Sequence, residues 1–186
     1  MAQELVKHRT DTRIDATVSS LWANVFGLIF LGTTVGGFCT LYLFTGRAIS
    51  LRPDLFALAT FIPALGFGGL VHEILHALGW MLFGRVPHEA IKFGLSWRGL
   101  MPYTHCKVPL KPSAYCIGSL LPGAITGLLP GVIGLVLGSL WLTMLGAVLL
   151  GVAGGDMLVL WELRSVPSSA SILDHPTKIG CEVLVE

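Results

Sequence analysis

Apolar residues run along this chain in long blocks rather than in the short alternations of a soluble domain. Leu21 to Phe44 carries no charged residue, and the 42 residues from Ser113 to Gly154 contain no Asp, Glu, Lys, Arg or His. A bilayer crossing takes roughly 20 residues, so the first block predicts one tilted helix. The second, apolar as far as Leu163, predicts two, with Gly138-Ser139 as the turn between them. A fourth block, Leu55 to Phe83, is long enough to cross but holds His72, Glu73 and His76. After Gly84 the pattern changes. Ile91, Phe93, Leu95 and Trp97 alternate with Lys92, Gly94 and Ser96, a strand period, and Arg98-Gly99 can turn it into a second extended piece over 100–110. Pro102 and Pro109 make that piece an edge or irregular strand. The expected fold is an all-α polytopic membrane protein with spans at 21–44, 55–83, 114–137 and 140–163. A small cytoplasmic β-hairpin lies in the 84–113 loop, and cytoplasmic tails occupy 1–20 and 164–186.

Composition agrees with the blocks. Hydrophobic residues make up 53% of the 186, and charged residues 12%, about half the roughly 25% of a soluble domain. A net charge of +1 gives nucleic acid no electrostatic footing as a partner. Four spans put both tails and the 84–113 loop on one side of the membrane. That side has ten Lys and Arg, and the other has Arg47 and Arg52 alone. By the positive-inside rule both termini face the cytoplasm of a multi-pass cell-membrane protein. The polar first 20 residues lack the basic-then-apolar start of a cleavable signal, so the first span is expected to remain. Cys106 and Cys181 then face a reducing compartment, Cys116 lies near that interface and Cys39 within the first span, so inert thiols rather than disulfides are expected. No pair has the Cys-x-x-Cys spacing of a zinc site.

The charges inside the second block carry the chemistry. His72-Glu73-x-x-His76 puts two imidazoles on one helical face, where both can reach one metal ion, with a glutamate beside the first. Random placement in this composition produces the pattern with a probability of about 0.6%. Ionisable groups in an apolar span cost several kcal/mol unless they pair or bind something. Zn2+ suits two His and a carboxylate and lowers the pKa of a bound water towards about 7, so that Glu73 can take its proton. The motif lacks a third ligand. Asp156, in the last span, is the candidate: it lies seven residues before Leu163, as His76 lies seven before Phe83, which places both about 10 Å below the same interface. Glycines precede both groups and let helices approach closely. His105, on the hairpin, can enter the site as a substrate contact, an oxyanion stabiliser or an alternative ligand. His8 and His88 read as surface histidines, and Leu173-Asp174-His175-Pro176 as a turn. Pro122 and Pro130 are expected to kink the third span.

Together, His72-Glu73-x-x-His76, the hairpin end Thr104-His105-Cys106-Lys107, Gly154-Gly155-Asp156 and Leu173-Asp174-His175-Pro176-Thr177 resemble the zincin membrane peptidases, over roughly 55–183. That family is similar in layout to the site-2 proteases, which cut in or beside transmembrane segments. The resemblance implies a zinc-dependent metalloendopeptidase with His72, His76 and Asp156 as ligands, Glu73 as the catalytic base, and a membrane protein or peptide as substrate. One departure stands out. Site-2 proteases place the metal-binding aspartate in an Asn-Pro-Asp-Gly or Leu-Asp-Gly context, whereas Met157 follows Asp156 here, and the last two spans contain no asparagine. The rival readings are a non-catalytic membrane scaffold with a structural or relic metal site, and a metal-ion transporter. A transporter needs further polar groups along a pathway, and the spans offer none on the far side.

Overall fold

The structure is a computed structural model that describes residues 12–49, 55–96, 101–175 and 178–185. His8, Arg52, Trp97, the Arg98-Gly99 turn and Pro176-Thr177 lie outside the described residues.

The apolar blocks are helical. α1 spans Ser20–Phe44 and α2 Leu55–Gly84. At 1.5 Å per residue, α1 is about 37 Å long, enough to cross a hydrocarbon core of about 30 Å. Ser19 caps α1 by accepting from the Trp22 amide (3.3 Å), and the Thr33 and Thr40 hydroxyls donate back to the carbonyls four residues earlier. Polar side chains on this helix are therefore satisfied without water. The outward faces are apolar: Leu28, Ile29, Leu58 and Ile62 are each exposed by more than half. Such a surface requires lipid.

The third block is α3 (Pro112–Pro122), a six-residue π turn over Gly123–Leu128, and α4 (Leu129–Leu137), which together make one helical run of membrane length. The two prolines thus produce a widened turn within the run. Neither has an amide hydrogen to donate, and the buried Thr126 hydroxyl is satisfied by donating to the Pro122 carbonyl at 2.8 Å. At the expected turn, Gly138 adopts φ +72 and ends α4, and Ser139 caps α5 (Leu140–Val152). Only glycine adopts that left-handed conformation at no steric cost.

The fourth block departs from expectation. Instead of one helix over 140–163, α5 stops at Val152 and α6 (Gly154–Leu163) leaves at 42°. Ala153 sits among Gly151, Gly154 and Gly155 with ψ near 5, so the helical ladder is interrupted where its residues resist bending least. Among the described residues the molecule is therefore mostly helical, with three helices long and apolar enough to cross a membrane, or four spans if the bent pair counts as one.

The hairpin is present as β2 (Ile91–Ser96) and β3 (Met101–Cys106), antiparallel, with Ile91 opposite Cys106 and Lys92 opposite His105. The stretches read as tails hold a second sheet. β1 (Thr12–Val18), β4 (Ser171–Asp174) and β5 (Ile179–Val185) form an antiparallel sheet in the order β1-β5-β4. Leu173 and Asp174, expected in a turn, are strand residues, and the turn follows them with the His175 amide donating to the Gly180 carbonyl (3.1 Å). Leu110 and Ile172 exchange two backbone hydrogen bonds of 2.7 Å, which joins the segment before α3 to β4. The buried core gathers at this end of the helices, where Trp80, Tyr115 and Leu163 meet Cys106, Ile172 and Cys181.

Candidate metal centre

Helical spacing alone puts His72 and His76 one above the other on α2, with ring centroids 4.9 Å apart, and both are buried. The nitrogen or oxygen ligand atoms of His72, Glu73 and His76 lie within 4.8 Å of one another. The broken helix supplies the remaining acid. Because α6 restarts at Gly154, Asp156 falls in its first turn, and its carboxylate reaches both rings: Oδ2 is 3.1 Å from His72 Nε2 and Oδ1 is 3.3 Å from His76 Nε2. The depth match read from the sequence thus corresponds to direct contact.

The ring of His76 shows what this arrangement accommodates. Its Nδ1 lies 3.1 Å from the Gly118 carbonyl, which can only accept, so Nδ1 carries the proton. In its neutral form the ring presents the Nε2 lone pair to the Asp156 carboxylate. Two lone pairs facing each other repel unless a proton or a cation lies between them. Spacings of 3.1 and 3.3 Å are also close to the roughly 3.3 Å edge of a tetrahedron whose nitrogen and oxygen ligands sit about 2.0–2.1 Å from a zinc ion. The donor set fits a divalent metal, and the Gly118 carbonyl would be the outer partner that fixes the His76 imidazole.

The surroundings hold these groups in place. His76 stacks on Trp80 (5.4 Å) and Trp80 on Tyr115 (5.7 Å), while the Trp80 indole donates to the Tyr115 carbonyl. The α2–α3 contact behind them is very tight, since a Cβ on Gly79 would sit 2.6 Å from Gly118 Cα. β3 is fastened to α2 by the Thr104 hydroxyl, which donates to the Glu73 carbonyl at 2.9 Å.

A cavity of about 890 Å³ opens beside the cluster, bounded by Glu73, His76 and Asp156 at one end and by the hairpin and the β4–β5 turn at the other. His105 is on its wall. Its Nδ1 is 3.7 Å from the Asp174 carboxylate, which also accepts from the Cys106 amide (2.8 Å) and the Tyr115 hydroxyl (2.7 Å). Burial pushes the Asp174 carboxyl up, against the pull of those two donors. The sequence pattern placed this acid in a turn rather than in a buried strand. The signal was present in the apolar alternation of Cys181, Val183 and Val185, which marks a strand needing a partner.

His88 stays apart, exposed beside Glu89 (3.3 Å), and Arg164 lies over the Trp161 ring rather than pairing with Asp156. Glu162 is exposed. All four cysteines are free.

A model of the family described as "Putative zincin peptidase" matches residues 65–171, more than half of the chain. No curated protein and no solved structure matches. The matched stretch contains the His-Glu-x-x-His helix, the hairpin and the bent pair that carries Asp156.

Proposed function

This chain belongs to the zincin peptidase family, and from that footing we propose that it is a zinc endopeptidase that cuts membrane-associated or transmembrane polypeptides at the mouth of the 890 Å³ cavity. The observation that carries the reading is the double contact of Asp156 with the two motif histidines, inside helices that require lipid. His72, His76 and Asp156 would hold the metal. A zinc ion there supplies Lewis acidity that makes water a nucleophile at neutral pH. Glu73 stands beside the ligands, facing the cavity, and acts as general base: its carboxylate takes the water's proton and passes it to the departing amine. His105, oriented by Asp174, contacts the substrate carbonyl as its oxygen gains charge.

Strand pairing supports a placement with four crossings. β1 precedes the first helix, β4 and β5 follow the last, and all three share one sheet, which requires an even number of crossings. We therefore assign the bent α5–α6 pair as the fourth span. With seven of the eight described Lys and Arg residues at the sheet end of the helices, the positive-inside rule favours the cytoplasm for that side, with the cavity opening towards the cytosol.

The test combines metal content with turnover in detergent-purified protein. Wild type should hold one zinc per chain, and His72→Ala and Asp156→Ala should each weaken it by tenfold or more. Zinc retained at full affinity without Asp156 would remove that residue from the ligand set. Glu73→Gln should keep the metal and lose roughly 10²- to 10⁴-fold in cleavage of a reporter membrane peptide. Full activity in that variant would overturn the assigned base.

A further inference from the structure

Two pairs of adjacent glycines flank the metal cluster, and in each pair only one member is explained by helix packing. A Cβ on Gly68 would sit 2.6 Å from Leu149, and one on Gly154 3.1 Å from Phe30, so both let neighbouring helices close up. Gly69 and Gly155 are different. A Cβ on either meets no atom within 4 Å. Both line a second cavity, of about 170 Å³, which shares Glu73, His76, Gly155 and Asp156 with the large one and is otherwise walled by His72, Pro102, Leu149 and Val152. Gly69 stands one helical turn before the motif, three residues from His72 and four from Glu73, so its missing side chain leaves space directly beside the reacting groups.

Resting on the peptidase reading, we propose that this small cavity is a specificity pocket for one large apolar side chain, Leu or Phe in size, next to the scissile bond, and that Gly69 and Gly155 set its depth. Apart from the cluster itself, its walls are glycine, proline, leucine and valine, with no charged group to solvate a polar occupant. Its volume is that of a cavity which holds a benzene ring, about 150 Å³. Val152, half exposed on the outer surface of α5, places the pocket's rim where an apolar residue can arrive from the lipid. By contrast, the large cavity has Lys92, Lys107 and Lys178 on its walls. The two cavities meet at the cluster, so the bond cut there has an apolar residue on one side and a polar, extramembrane stretch on the other. That is the juxtamembrane boundary of a transmembrane segment.

Amino-acid hydroxamates, which anchor on a zinc ion and present one side chain, test the pocket by binding rather than turnover. On the zinc-loaded protein, leucine and phenylalanine hydroxamates should bind roughly tenfold to a hundredfold more tightly than glycine hydroxamate. In Gly69→Leu that ratio should collapse towards one. In Gly66→Leu, on the same helix and also with open space at its Cβ, the wild-type ratio should persist. Equal affinity for the three compounds in wild type, or an undiminished ratio in Gly69→Leu, would overturn the pocket while leaving the metal centre standing. Failure of wild type to bind any hydroxamate would overturn the metal-centre reading and the pocket with it.

Discussion

Cys181 illustrates how far a side chain's chemistry depends on its surroundings. It lies in β5 opposite Ala16 and Asp174, fully buried, and burial together with the nearby Asp174 charge pushes its thiol up to about 12. Only the thiolate is nucleophilic, so at pH 8 its alkylation should be slower than that of a free thiol by on the order of a thousandfold, rising with pH until about 12. Mass spectrometry of iodoacetamide-treated native protein checks this. Labelling of Cys181 at the rate of an unfolded control would mean that the three-stranded sheet is open in solution. The sequence could mark Cys181 as inert from its compartment, but the cause is this strand and its buried aspartate. The same holds for Asp174 itself. Its neighbours Leu173 and His175 suggested a turn, and only Tyr115 and Cys106, 59 and 68 residues away, make it an anchor.

At the level of elements, the site depends on two helix contacts that glycine makes possible. Gly79 lies against Gly118, and the Gly118 carbonyl holds His76 Nδ1. Gly79→Ala forces α2 and α3 apart and should cost about 1–3 kcal/mol. The separation also loosens the bond that orients His76, so zinc affinity should fall along with the melting temperature in detergent. Unchanged stability and metal affinity would show that the two helices are not held at this distance. The other contact is the bent pair. A straight helix over 140–163 was the natural reading of an uninterrupted apolar run, because hydropathy reports only that a segment prefers lipid. The break at Ala153 and the resulting place of Asp156 in the first turn of α6 depend on how α5 and α6 pack against α1. There Gly151 meets Leu31 and Thr34, and Gly154 meets Phe30. The hairpin was legible because a period of two is a local signal, whereas its fastening to α2 through Thr104 was not.

For the whole molecule, the sheet bears on the proposed sidedness. Arg13 in β1 pairs with Glu182 in β5 (3.2 Å), and Lys178 with Asp15 (2.7 Å), so β1 and β5 lie at the same end of the helices. At the opposite end, Arg47 donates to the Leu135 carbonyl (3.0 Å) and Tyr42 to the Gly138 carbonyl (3.0 Å), which tie α1 to the α4–α5 turn. Single cysteines placed at Arg13 and Lys178 in a chain cleared of its native thiols should therefore react with an impermeant maleimide only after the cytoplasmic face is opened. A cysteine at Arg47 should react in intact cells. Labelling of the first two from different sides would break the even-crossing assignment. The sequence alone determined the apolar blocks, the His-Glu-x-x-His face and the depth at which Asp156 could join it, since hydropathy and helical spacing are properties of neighbouring residues. Tertiary structure decided the rest. The β1–β5 pairing, the bend at Ala153 and the two glycines left open beside the motif arise where segments far apart in the chain come together, and no local pattern encodes such a meeting.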